Sequence, residues 1–172
     1  MLKSNFFLSF VLLFTLSLNA KEINIDKRLQ NLPTTKELII YLHRTGCSYC
    51  NSMEEFTLED ETVNDFLNTH YEVIRINITD DDKIIYKNKE SSGLEFAKSV
   101  GYNFYPSVLF LNEKADIEYA SVGYKDEFEF ILILNYVKKG FYKQMNLSEY
   151  KRITGFKKNS DDTIVDSRKN AR

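Results

Sequence analysis

Tryptophan is absent from this chain, and cysteine, proline and histidine occur only twice each. Charge of one sign is also lacking, because 23 basic side chains face 25 acidic ones for a formal net charge of -2. That balance argues against nucleic acid as a partner, since phosphate backbones require a concentrated basic face. Covalent haem attachment through Cys-x-x-Cys-His fails, because Asn51 follows the second cysteine. After the N-terminal twenty residues no apolar run is long enough to span a bilayer, which takes about 20 residues. No internal repeat is visible. What the chain does have is 43% hydrophobic residues, including thirteen Phe and eleven Tyr, enough for a real core. A length of 172 residues suits one ordinary domain.

The first twenty residues differ from the rest. Lys3 gives a positive start, an apolar run follows from Phe6 to Leu18, and Asn19-Ala20 leads into Lys21-Glu22. This layout predicts a secretory signal peptide over residues 1–20, cleaved after Ala20. An uncleaved N-terminal anchor is the alternative; a lipoprotein is disfavoured because no cysteine follows the run. The remaining expected organisation is a lead-in over residues 21–33, a folded domain over 34–150 and a polar, disordered C-terminal tail over 151–172.

Export changes how the cysteines are read. Both lie in Cys47-Ser48-Tyr49-Cys50. Structural bridges stabilise most when they close long loops, and a bridge across two residues closes almost none. A redox role explains the pair better.

The lead-in is polar, with a short helix expected around Asp26 to Gln30. Residues 37–43 (ELIIYLH) hold a continuous apolar run that suits a strand buried on both faces. Thr45-Gly46 turns the chain into the cysteine motif. Helical character follows from Cys50 to Phe56, and Asp60 is placed to cap a second helix over Glu61 to Thr69, with Val63, Phe66 and Leu67 inward. Residues 71–78 (YEVIRINI) read as a strand. Thr79 to Lys89 is acidic, then basic, and is expected to face solvent. Ser92-x-x-Glu95 has capping-box spacing and opens a helix to about Val100, which Gly101 stops. Pro106 precedes a strand over Ser107 to Leu111, paired through a turn with Ile117 to Val122 as a hairpin. Asp126 to Lys139 is expected to be the final helix, with Phe128, Ile131, Leu132, Leu134 and Tyr136 as its apolar side.

A buried strand, Gly-Cys-x-x-Cys opening a helix, and a lone proline before a hairpin strand together resemble the thioredoxin superfamily. The matching features run from about Glu37 to Lys139. They include Arg75-Ile76-Asn77-Ile78, Tyr105-Pro106 and Gly123 after the last strand. Within that superfamily the chain is similar to exported, periplasmic thioredoxin-like proteins of the SoxW-like type, which carry an insertion where Thr79 to Ser91 stands here. The resemblance implies an α/β fold: a central mixed sheet of four to five strands flanked by helices, with that insertion before the helix preceding the proline. It also implies a cis Tyr105-Pro106 bond lying against the disulfide, with the Tyr105 backbone pairing to substrate. Tyr49 is expected to cover the sulfurs or to touch substrate, with a simply exposed aromatic as the equal alternative.

The chemistry of the motif stands beside the resemblance. A thiolate attacks a disulfide sulfur, so the attacking cysteine must be accessible and easily ionised. Cys47 sits where a helix begins, and unpaired N–H groups favour an anion there. Cys47 is therefore assigned as nucleophile and Cys50, one turn on, as the resolving thiol. No cofactor is expected beyond the Cys47-Cys50 disulfide. His43, Cys47 and Cys50, with His70 as a fourth, are the alternative metal set; no metal is expected, because His43 ends a strand and His70 sits late in a helix.

The sequence departs from thioredoxins proper. Thr45-Gly46 replaces the tryptophan-containing step before the motif, and Ser48-Tyr49 replaces Gly-Pro inside it. Tyr41 occupies the place of the buried Asp that moves protons at the resolving cysteine, and Arg75 that of its Lys companion. Glu54, Glu55 or water are the candidate substitutes. The expected function is reduction of protein disulfides by a monomer in the periplasm. The resemblance implies recharging by a membrane thiol-transporting electron donor, with apocytochrome c, a sulfur-carrier protein or other exported disulfides as substrates. A disulfide oxidase of the same fold and a non-catalytic metal- or thiol-binding module are the competing readings.

Overall fold

The computed structural model describes residues 20–156. The apolar run of the expected leader and most of the expected tail lie outside the described residues.

Strand β2 (Glu37–His43) organises the molecule. None of Leu38, Ile39, Ile40, Tyr41 and Leu42 is more than 1% exposed. Side chains alternate across a strand, and here the two sets enter two separate cores. Ile39 and Tyr41 join one cluster with Met53, Val63, Val108, Phe110 and Phe130. Leu38, Ile40 and Leu42 join the other with Ile76, Ile84, Phe96 and Leu109. The unbroken apolar run thus reflects burial on both faces, as its pattern predicts.

Strand β3 (Tyr71–Asn77) pairs parallel with β2, while β6 (Ser107–Leu111) pairs antiparallel on the other side and β7 (Ile117–Val122) antiparallel with β6. The order β3-β2-β6-β7 makes the expected four-stranded mixed sheet. Beside it stands a three-stranded sheet that the sequence reading does not anticipate. It joins β1 (Glu22–Asn24), β4 (Lys83–Tyr86) and β5 (Lys89–Ser92). The segment expected to face solvent is therefore a hairpin, and Ile84 within it is completely buried. The reason is non-local. β4 pairs parallel with β1, some sixty positions earlier, so Ile23 and Ile84 are neighbours. A four-residue strand with flanking charges carries too little periodicity to reveal that. The lead-in shares in this arrangement: helix α1 (Ile25–Gln30) follows β1, and Ile25 is fully buried.

The helices follow their caps. Asp60 accepts from the Val63 N–H to open α3 (Glu61–His70). Helix α4 (Gly93–Ser99) begins with the anticipated capping box: the Ser92 hydroxyl accepts from the Glu95 N–H, and the Glu95 carboxylate accepts from the Ser92 N–H at 2.9 Å. The Ser92 N–H, together with the Ser92 hydroxyl donating to the same carboxylate oxygen at 3.0 Å, holds the Glu95 carboxyl below the usual carboxylate range. Because the folded value is depressed, that support is present above the unfolded carboxyl value and fades as pH falls through the folded one. Ser92→Ala is expected to cost about 1 kcal/mol, read as a lowered urea midpoint with unchanged slope. An unchanged midpoint contradicts the cap's contribution.

Helix α5 (Glu127–Lys138) differs in its facing. Phe130, Ile133, Leu134, Tyr136 and Val137 are buried, whereas Phe128 is 69% exposed. The helix is apolar nearly all round, so periodicity alone does not choose its inner face. Nor is α5 the last element. A short 3-10 turn (Phe141–Lys143) and α6 (Leu147–Ile153) follow it. Tyr150 of α6 packs against Tyr136 and Phe141, and Lys151 forms a 2.6 Å ion pair with Glu129 of α5.

Candidate active site

The end of β2 leads into a short loop that delivers both cysteines. Gly46 adopts φ +73°, a left-handed conformation open to glycine. The loop is held to the end of β3. The Asn77 amide donates to the Thr45 hydroxyl oxygen at 2.9 Å, and the Thr79 hydroxyl contacts both Thr45 and Asn77. The sequence marks Thr45 as a turn residue and Asn77 as part of a strand pattern, but nothing in it joins them to Thr79. Their polar clustering exists only because β2 and β3 run side by side.

Helix α2 (Ser48–Ser52) starts at the motif and continues through a π-helical segment (Met53–Leu58). Cys47 is its N-cap, and its sulfur accepts from the Cys50 N–H at 3.2 Å. The residues are joined as a disulfide, with Cα atoms 5.2 Å apart. Cys47 is partly exposed and Cys50 only 1% exposed. One sulfur therefore faces solvent while the other lies beneath it.

The Tyr105-Pro106 bond is cis. The Tyr105 carbonyl oxygen lies 3.9 Å from the Cys47 sulfur. Its loop is anchored from both sides: the Ser107 hydroxyl donates to the Phe104 carbonyl at 2.6 Å, and the Gly123 N–H donates to the Pro106 carbonyl at 2.8 Å. Tyr49 between the cysteines, Phe104 directly before Tyr105 and Val122 paired with Ser107 are 67%, 74% and 42% exposed. Phe104 was missed in the sequence; its place directly before Tyr105-Pro106 was the available signal.

Tyr41 lies below. Its hydroxyl donates to the Cys50 carbonyl at 3.2 Å, and the Arg75 guanidinium sits 5.9 Å from its ring centre. Burial, with help from Glu54 and against Arg75, pushes its phenol well above the ordinary value. The Tyr41 ring stacks on His43 at 5.2 Å, and His43 Nδ1 is 3.3 Å from Glu54 Oε1. Glu55 is exposed, so of the two acids weighed as substitutes Glu54 is the one that faces inward.

The four-ligand metal arrangement does not form. His70 ends α3 next to Tyr71, which pairs with Glu37, whereas His43 pairs with Asn77 at the far end of the same strands. Six residues of strand separate the two ends by about 20 Å. Among the described residues no group of three metal-ligating side chains converges. The redox group is the chain's own disulfide. A cleft of about 580 Å³ lies at the opposite end of β2, near Leu38, Leu111 and Lys138, remote from the sulfurs.

Comparison with known proteins agrees with this geometry. No curated protein matches in sequence. Among solved structures, a thioredoxin-fold protein from Helicobacter pylori is 21% identical, with 80% of this chain and 85% of that chain covered and a TM-score of 0.54. A thioredoxin from Thermus thermophilus is also 21% identical, with 73% and 93% covered and a TM-score of 0.56. A structure described as DsbH oxidoreductase is 10% identical, with 71% and 86% covered and a TM-score of 0.53. At these identities the likeness is one of fold. The family model for the thioredoxin-like domain matches residues 28–138, spanning the cysteine motif and Pro106, and the chain therefore belongs to the thioredoxin-like family.

Proposed function

We propose that this protein reduces protein disulfides by dithiol–disulfide exchange in the periplasm, with Cys47 as nucleophile and Cys50 as resolving thiol. The observation that carries the assignment is the asymmetry of the pair: Cys47 is accessible and receives a backbone N–H, while Cys50 is buried. A donor aimed at sulfur favours its thiolate. The Cys47 thiolate attacks a substrate disulfide and displaces one substrate thiolate. Cys50 then attacks Cys47, closing the disulfide and releasing the second substrate thiolate. Two electrons pass to the substrate.

The open setting supports a macromolecular substrate. Tyr49 stands exposed between the cysteines, the Tyr105 carbonyl borders Cys47, and Phe104 and Val122 are exposed on the segments that flank the Tyr105-Pro106 step. An extended segment carrying the target cystine can run along the Tyr105 backbone. Export rests on the leader pattern of residues 1–20, and recharging falls to a membrane thiol-transporting donor, which returns the pair to its dithiol form. The protein acts as a monomer.

The reductase direction is supported by what joins β3 to β6. That connection is a short hairpin and the seven-residue helix α4, without the large helical insertion of dedicated oxidases. The decisive measurement is the reduction potential of the pair. A value near about −270 mV is expected, and one near about −120 mV assigns the protein as an oxidase instead. Reduction of insulin with dithiothreitol should proceed catalytically; absence of turnover overturns the enzyme reading. Recovery of the tagged full chain from the cytosol after fractionation overturns the location.

A further inference from the structure

When Cys50 resolves a mixed disulfide, its buried thiol must lose a proton, and the strand residue beneath it is a tyrosine. Three groups lie below the motif with Tyr41's position as their centre. The Arg75 guanidinium carries only N–H donors and offers no acceptor. The Tyr41 hydroxyl already donates to the Cys50 carbonyl at 3.2 Å, and burial makes it a poorer acid still. The third is His43 with Glu54.

Placement favours that pair. Tyr41 and His43 are two apart on β2 and share a face. Glu54 follows Cys50 by four positions on the helical run and so lies on the same side of it. Tyr41 spans the gap, with its hydroxyl on the Cys50 backbone and its ring stacked on the imidazole at 5.2 Å and 11°. His43 Nδ1 and Glu54 Oε1 are 3.3 Å apart, and their side chains are 20% and 34% exposed. A carboxylate on one imidazole nitrogen orients the ring and stabilises the imidazolium that forms when the other nitrogen takes a proton.

We propose that the His43–Glu54 pair accepts the Cys50 thiol proton when the mixed disulfide is resolved, in place of an acid on the strand. This rests on the exchange reading above. The Cys50 S–H bond breaks and its proton passes to the imidazole. The electron pair left on Cys50 forms the bond to Cys47 sulfur. The bond from Cys47 to substrate sulfur breaks, and its pair leaves on the substrate thiolate, which is reprotonated from the imidazolium or from water. The dithiol is oxidised and the substrate disulfide reduced.

The pH dependence follows from the groups facing His43: Tyr41 on β2, Glu54 on the helical run, Arg75 on β3 and Asp80 in the turn after it. Burial is the largest influence and pushes the imidazole down from its ordinary value; Glu54 and Asp80 oppose this, and Arg75 adds to it. The imidazole is thus neutral and available at neutral pH, and fills as pH falls.

A nitrobenzoate disulfide reagent, whose released thiolate is coloured, separates the two steps in the reduced full-length protein. The first burst reports attack by Cys47 and the second reports resolution by Cys50. In stopped flow from about pH 5 to about pH 9, the wild-type second phase should slow as pH falls through the imidazole titration. His43→Gln should slow the second phase at least about tenfold at neutral pH and remove that inflection, with the first phase retained. Added imidazole should restore part of the lost rate. Glu54→Gln should move the inflection to lower pH, because the imidazolium loses its counter-charge. Second phases matching wild type in rate and profile in both variants overturn the proposal, as does equal slowing of both phases, which marks a structural role. Insulin reduction by the wild type is scored separately. Its failure alongside altered second phases removes the reductase reading and leaves the proton acceptor standing.

Discussion

Cys47→Ala is expected to reduce insulin-reducing turnover more than about a thousandfold, to the uncatalysed background. Nothing else in the described residues can replace it, because the chain contains only one other cysteine and that one is 1% exposed. Cys50→Ala should behave differently. Cys47 keeps its partly exposed position at the start of the helical run, although the bond between the sulfurs is gone. It should still attack, and without a resolving thiol the mixed disulfide persists. Non-reducing electrophoresis of Cys50→Ala from cells should therefore show adducts that dithiothreitol collapses, and Cys47→Ala should show none. Adducts accumulating on Cys47→Ala instead would reverse the two roles.

The largest stability effect is expected at Phe96 on α4. It is 1% exposed and packs edge-on to Tyr86 of β4 at 5.2 Å, within the core cluster that also holds Ile84 and the β2 side chains Leu38, Ile40 and Leu42. Phe96 thus joins the second sheet to the first. Truncating such a ring costs about 3–5 kcal/mol, from lost transfer energy and the cavity left behind. Against a total stability of about 5–15 kcal/mol, that is a large share. For a domain of this size the melting temperature should fall by about 10–15 °C. A drop of less than about 3 °C would show that the sheet-to-sheet contact is carried elsewhere. Phe96 belongs to one core cluster while the helical run that follows the cysteines buries Met53 in the other, so the potential of the Cys47–Cys50 pair should move little in the fraction that remains folded.

Much of the fold was legible because the pattern that encodes it is local. The run from Leu38 to Leu42 announced a doubly covered strand, Asp60 and Ser92 announced helix starts, and Cys47-Ser48-Tyr49-Cys50 announced its own chemistry by spacing too short for a staple. What escaped reading was non-local or featureless. Ile84 is buried only because β1 pairs with it. The inner face of α5 is chosen by the sheet it meets, since Phe128 and Phe130 look equally apolar in the sequence. No helix was expected after Lys139, yet α6 forms there and Tyr150 is buried against Tyr136 and Phe141, which lie on other elements.

The site divides in the same way. Residue order alone yields one candidate redox pair, with Cys47 before a helix and Cys50 one turn inside it, and the resemblance to thioredoxins marks Tyr41 as standing where an acid was expected. The tertiary structure alone decided that Tyr105 borders the outer sulfur, that the Thr45, Asn77 and Thr79 side chains hold the loop, and that Glu54 rather than Glu55 meets His43 beneath the motif. The physical reason is range. Spacing along a helix or strand fixes which residues share a face, whereas the groups that set a proton's destination come from elements brought together only when both cores close.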